Sequence, residues 1–159
     1  VRVFTVYVLG GRPDVAMWLF AKASMADRQI KHFNQGNMRR CFTYVADVVE
    51  SIARLVDRAP APNLKWSGET PDPGSSSAPW TVYNIGNNNP VKLTEYVEAL
   101  EEALGRKARV ELLPLQPGDV PDTFADTSAL EAAVGYRPAT TVREGVGNFV
   151  DWYQGYYKV

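Results

Sequence analysis

Three observations predict an α/β fold for this chain. It opens on a β-branched and aromatic run, it carries apolar residues at helical spacing in several later segments, and glycine- or proline-rich turns separate the two patterns. Strand-like and helix-like stretches alternate along 159 residues without an internal repeat. One unit spanning 1–159 is expected, because folding a chain of this size buries about 68–70 % of its unfolded surface.

Val1–Leu9 is dense in Val, Phe, Thr and Tyr and reads as a buried strand that Gly10-Gly11 ends. Pro13 suits the first turn of a helix, where a missing N–H costs nothing, and Val15–Ala23 continues as mostly buried helix. Ile30–Asn34 reads as a short strand with Gln35-Gly36-Asn37 as its turn, and Phe42–Val45 as another strand. Asp47 is placed to cap a helix whose apolar positions Val48, Val49, Ile52, Leu55 and Val56 fall at helical spacing. Residues 58–79 carry prolines, glycines and three consecutive serines, and read as a surface loop. Trp80–Ile85 resumes as a strand before the turn Gly86-Asn87-Asn88-Asn89-Pro90. Thr94 precedes a helix stopped by Gly105, Ala108–Leu113 is a strand, Thr127 or Ser128 starts a short helix ending near Gly135, and Val142–Tyr157 closes the chain as helix.

Composition narrows the function. A formal net charge of −1 argues against a nucleic-acid partner, which demands a basic surface. The single cysteine, Cys41, excludes an internal disulfide and a cysteine metal cluster, and points to a reducing compartment, the cytoplasm. The single histidine, His32, lies among polar turn residues and is not assigned to a metal or to catalysis. No apolar run approaches the roughly 20 residues that cross a bilayer. Val1–Leu9 has Arg2 near its start, as a signal peptide would, but lacks Met and alternates like a strand. The chain opens inside that strand, as a truncated protein or a remnant would.

The most informative stretch is Phe33–Tyr44, which sets an aromatic, a glycine turn and the pair Arg39-Arg40 just ahead of an apolar helix. Guanidinium forks bind phosphates bidentately, so Arg39 and Arg40 suit a diphosphate; the bland alternative is a solvated pair. The ring of Phe33 offers a face to a base, or fills the core. Gln116-Pro117-Gly118-Asp119 is rigid, polar and follows a strand end, where ligands of α/β folds sit; Asp119 can accept from sugar hydroxyls or cap its own turn. Arg12, after Gly10-Gly11, is placed to meet an anion. No Gly-x-Gly-x-x-Gly follows a strand, and neither Tyr-x-x-x-Lys nor Gly-x-Ser-x-Gly occurs, so no residue here is assigned to catalysis.

These residues together resemble the C-terminal portion of the UDP-glucuronate 4-epimerases, extended short-chain dehydrogenase/reductases of the NAD-dependent epimerase/dehydratase family. The markers are Phe4-Thr5-Val6-Tyr7, Gly11-Arg12-Pro13-Asp14, Gly36–Arg40 with Phe42-Thr43-Tyr44, Tyr83–Asn87, Gln116–Pro121 and Asp151-Trp152-Tyr153. The resemblance implies a UDP-sugar site and, in the full-length family, a bound NAD that oxidises C4 of the sugar and returns hydride to the other face. It implies Phe33 against the uracil, Arg40 at the diphosphate, Gln116 and Asp119 at the ribose–phosphate region, and Thr5 and Arg12 at the sugar carboxylate. It also implies that Val1–Tyr7 and Trp80–Ile85 pair as edge elements of a Rossmann sheet whose NAD-binding half is not in this chain, so that no cofactor is expected to bind here alone.

The sequence departs from the family at Val8-Leu9-Gly10, where Gly-Pro-Trp is usual, at Cys41, where aspartate follows the arginine, and at Ala46. Loss of the aspartate is expected to leave Arg40 less firmly oriented. Three functions follow as expectations: the UDP-sugar-binding part of an epimerase, inactive alone; a stand-alone nucleotide-sugar-binding module or one that pairs with a separate N-terminal half; or an interaction module that self-associates through exposed strands.

Overall fold

The computed structural model describes residues 1–159. Eight short strands and five α-helices follow in the order β1 (Arg2–Val3), β2 (Val6–Tyr7), α1 (Ala16–Met25), β3 (Gln29–His32), a 3₁₀ turn (Phe33–Gly36), β4 (Arg39–Arg40), β5 (Thr43–Tyr44), α2 (Val45–Val56), β6 (Asn84–Ile85), β7 (Val91–Lys92), α3 (Leu93–Leu104), β8 (Arg109–Leu112), α4 (Ser128–Val134) and α5 (Val142–Tyr157). The strands form pairs: β1 with β6, β2 with β5 and β3 with β8 in parallel, and β4 with β7 antiparallel.

The helix ends follow local chemistry. Gly105 and Gly135 adopt the left-handed conformation (φ 65° and 61°) that closes α3 and α4, as their sequences predict. Thr141 caps α5 by accepting from the Glu144 N–H at 3.2 Å. The main core gathers the inner faces of α1, α3 and α5, with Phe42 stacked on Tyr96 at 4.3 Å and Tyr7 edge-on to the same ring. A smaller cluster of Val48, Ile85 and Leu130 joins α2, β6 and α4.

Several elements differ from expectation. Val1–Leu9 is not one buried strand. Residues 2–4 bond β6 (Phe4 N–H to the Ile85 carbonyl, 3.1 Å), whereas the Thr5 carbonyl accepts from Thr43 of β5, so the partner changes between them. Val1 and Val3 stay exposed because nothing packs over them. The strand expected at Trp80–Ile85 shrinks to Asn84–Ile85, since Ser75 to Val82 folds back on its own loop through the Ser75–Thr81 bridge. Pro13 lies before α1, not in it; Val15 is the N-cap. Likewise α2 starts at Val45, and Asp47 is no cap: it points inward, where its carboxylate accepts from the Tyr136 hydroxyl at 2.7 Å and the Thr140 N–H at 3.0 Å. The α3 helix begins at Leu93, so Thr94 lies within it.

β3 stops at His32, where β8 also ends, and the chain turns through Asn34, Gln35 and Gly36 in left-handed conformations (φ 52°, 52° and 81°). Two of those residues are not glycine, and such backbone costs of order 1 kcal/mol or more each. The turn is held by the Gln35 N–H on the Leu113 carbonyl and by the Asn34 side-chain amide on the Asn37 carbonyl.

Candidate functional site

A cavity of about 760 Å³ opens between α1, β3 and the segment Met38–Phe42. Its size lies within the range of small-ligand sites. Amphipathic spacing makes one wall: Ala16, Leu19, Phe20 and Ala23 recur along α1 and line the cavity, while Met17, Trp18 and Ala21 face the core. Leu19 is 50 % exposed for that reason. Phe33, the first residue of the 3₁₀ turn, and Met38, Phe42 and Leu93 add apolar surface to the lining.

Four residues marked by the sequence converge here: Thr5, Phe33, Arg40 and Asp119 all line the cavity. Arg12, Arg39 and Gln116 do not. Arg39 and Arg40 are consecutive in β4, and successive side chains of a strand point to opposite faces, so they cannot share one phosphate. Arg39 lies 3.7 Å from Asp122. Arg12 is bound by Asp14, with Nε to Oδ1 at 3.0 Å and Nη2 to Oδ2 at 2.5 Å. That hydrogen bond raises the Arg12 pKa and lowers that of Asp14. Asp14, not Arg12, reaches the cavity lining. Gln116 is exposed on the turn whose carbonyl accepts from the Asp119 N–H at 3.1 Å, with Gly118 at φ 87°.

Arg40 is held firmly, contrary to what the loss of aspartate at position 41 suggested. Its Nη1 donates to the carbonyls of Arg39 and Pro121, each at 2.9 Å, which leaves the other guanidinium nitrogens free for a ligand. Cys41 is fully buried, with Sγ 3.4 Å from the Thr123 carbonyl. The carbonyl of Pro121 does the orienting, so a small apolar thiol is tolerated next door. At Gly10 a Cβ would rest against the Trp152 ring at 3.6 Å, an ordinary contact, so Gly10 packs against α5.

The sequence missed three cations of the same cavity: Lys22 on α1, and Arg28 and Lys31 at β3. Lys22 is the readable one, since it lies three residues after Leu19, at helical spacing on the same side of α1.

No family model matches the chain. Among curated relatives, Protein CapI of Staphylococcus aureus is 55 % identical over 157 residues, covering 99 % of this chain and 47 % of its own length. The probable UDP-glucuronate 4-epimerase of Rhizobium meliloti is 44 % identical, covering 99 % of this chain and 46 % of its own length. Of the solved structures, MoeE5 in complex with UDP-glucuronic acid and NAD superposes with a TM-score of 0.77 at 27 % identity, over 98 % of this chain and 46 % of that one. UDP-glucuronic acid 4-epimerase from Bacillus cereus in complex with NAD gives 0.75 at 25 % identity, over 99 % and 43 %.

The fold is thus that of the C-terminal portion of an extended short-chain dehydrogenase/reductase. Within that class the chain is similar to about half the length of proteins named UDP-glucuronate 4-epimerase, from Rhizobium meliloti among the curated relatives and from Bacillus cereus among the solved structures. It spans about half the length of the curated relatives it matches.

Proposed function

We propose that these residues bind a UDP-sugar, UDP-glucuronate foremost, as the substrate side of an NAD-dependent C4 epimerase giving UDP-galacturonate. The observation that carries this is the convergence of Phe33, Arg40, Asp119 and Thr5 on one cavity. Phe33 offers a ring to the base, Arg40 a pre-oriented guanidinium to the diphosphate, Asp119 an acceptor to ribose hydroxyls, and Thr5 a hydroxyl to the sugar. Arg12 meets the glucuronate carboxylate after exchanging Asp14 for it, whereas Arg39 and Gln116 stay outside the lining and contact no phosphate on this reading. Relatives named as UDP-glucuronate 4-epimerases support the substrate class.

NAD does not fit these residues. The glycine pair after β2 leads into Arg12-Pro13, α1 starts only at Ala16, and a Cβ on Gly11 would meet Val8 at 2.7 Å. That glycine packs a turn and cradles no phosphate, so hydride transfer is assigned to no residue here and the chain alone is inactive on this reading. No helix is long and apolar enough to cross a membrane, and the buried thiol of Cys41 suits the cytoplasm.

Docking is the second reading, and α2 favours it. Val49, Ile52 and Val56 form an exposed apolar stripe (60 %, 40 % and 76 %), and Val1 and Val3 are exposed on β1. A separate NAD-binding half, or a second copy, would seat there.

Amide NMR of the chain titrated with UDP-glucuronate tests both. Saturable shifts at Phe33, Arg40 and Asp119 are expected. Dispersed peaks that ignore the ligand would leave the docking module as the reading, and sedimentation would then show self-association.

A further inference from the structure

A diphosphate bears a negative charge on each phosphate, yet Arg40 is the one sequence-marked cation that reaches the cavity. Arg39 sits with Asp122, Arg12 is clasped by Asp14, and Gln116 is neutral and outside the lining. On the UDP-sugar reading, charge has to be completed by a residue from another element.

The cavity supplies candidates. Lys22, Arg28 and Lys31 line it, and none of them belongs to any of the molecule's six ion pairs. With Arg40 they set four cationic side chains against two carboxylates, Asp14 and Asp119, in a chain whose net charge is −1. Unpaired like charges are normally spread over a surface, because crowding them costs energy. Here Lys22, Arg28 and Lys31 are exposed, and with Arg40 they gather beside apolar walls (Leu19, Phe20, Phe42), where an anion entering the cavity meets several of them together.

Lys22 is the best placed of the three. It stands three residues after Leu19 and one before Ala23, on the α1 wall that faces the cavity, and that helix is anchored by buried Met17, Trp18 and Ala21. Its position is therefore fixed by the core. Arg28 and Lys31 sit at the ends of β3, one before it and one within it.

We infer that Lys22 is a second diphosphate ligand of this site, acting with Arg40 from the other wall, and that Arg28 and Lys31 extend the same cationic rim. The inference rests on the UDP-sugar reading and adds to it the residue that lets the cavity prefer a nucleoside diphosphate to a nucleoside.

Calorimetric titration of the 159-residue chain with UDP, UMP and uridine tests it. Lys22→Ala is expected to weaken UDP about 3- to 10-fold, the range of a partly solvated charged contact, and to leave uridine within about twofold. Lys22→Arg should keep most of the UDP affinity, and the salt dependence of UDP binding should flatten in Lys22→Ala. If Arg40→Ala loses UDP while Lys22→Ala does not, the Lys22 assignment falls and the UDP-sugar reading stands. Equal losses for UDP and uridine would also overturn it, because packing and not charge would then be responsible. Failure of the unchanged chain to bind UDP removes both.

Discussion

Replacing Asp47 by asparagine should unfold the region where α2, α4 and α5 meet far more readily than its position in a first helical turn suggests. Asp47 is 6 % exposed. Oδ1 accepts from the Tyr136 hydroxyl at 2.7 Å and Oδ2 from the Thr140 N–H at 3.0 Å, so one side chain ties the start of α2 to the connection between α4 and α5. Asparagine keeps the shape but offers one acceptor, and turns an N–H₂ toward the second donor. Hydrogen bonds to a charged group contribute about 1.5–3 kcal/mol each, and an unpaired buried donor costs about 1–3 kcal/mol. Asp47→Asn is therefore expected to cost about 2–4 kcal/mol, a large share of the roughly 5–15 kcal/mol that folded domains have. Urea unfolding at neutral pH measures it. Tyr136 gives an independent readout: burial first, then the Asp47 hydrogen bond, push its hydroxyl up to about 12, and Asp47→Asn should bring it back toward the ordinary 10. A double cycle with Tyr136→Phe should show coupling above about 0.5 kcal/mol. A midpoint shift equivalent to less than about 0.5 kcal/mol, with the tyrosine titration unmoved, would refute the account of Asp47 as a tertiary tie.

Three further outcomes are expected. Gly145→Ala should cost about 1–3 kcal/mol or more, because the new Cβ would lie 2.2 Å from the Tyr7 hydroxyl oxygen and 2.6 Å from its Cε2; Tyr7→Phe should restore only part, and an unchanged melting temperature would contradict this packing. Arg12→Ala should narrow any preference for UDP-glucuronate over UDP-glucose, and an identical affinity ratio would remove Arg12 from the sugar site. Stability should fall on acidification below pH 6.5. Burial lowers the pKa of His32, so the unfolded chain takes up the proton first; the loss grows as pH drops from the unfolded value toward the depressed folded one, then levels off. Since His32 is the single histidine, His32→Gln should flatten urea midpoints between about pH 7 and 5.5, and a wild-type protein without that slope would oppose the assignment.

What the sequence made legible was local. Gly105 and Gly135 end α3 and α4 because a left-handed residue is needed within the helix's own last turn, and α5 occupies the expected Val142–Tyr157 because periodicity and the Thr141 cap agree. Strand extent was less legible. Val1–Leu9 has uniform β propensity, but its pairing passes from β6 to β5 in mid-run, and the partners lie some 80 and 40 residues away in sequence. Asp47 carried a valid capping signal that lost to a stronger use, since its hydrogen-bond donors Tyr136 and Thr140 lie 89 and 93 residues on.

The candidate site divides in the same way, and β4 shows why. Two adjacent arginines read as a phosphate clamp in one dimension, but any extended pair is split between two faces, so a second cation for the same phosphates must come from a different element. The resemblance could carry over Arg40 because its motif is contiguous. It could not carry over the rim, whose members come from α1 and β3 and meet Arg40 only once β3 pairs with β8 and the Met38–Phe42 segment folds across them. The one local hint was Lys22, a charge three residues after Leu19 on a wall whose other α1 members, Ala16, Leu19, Phe20 and Ala23, are apolar. On the UDP-sugar reading, α1 gives one apolar face to the core and turns the other, with its unpaired lysine, to the cavity.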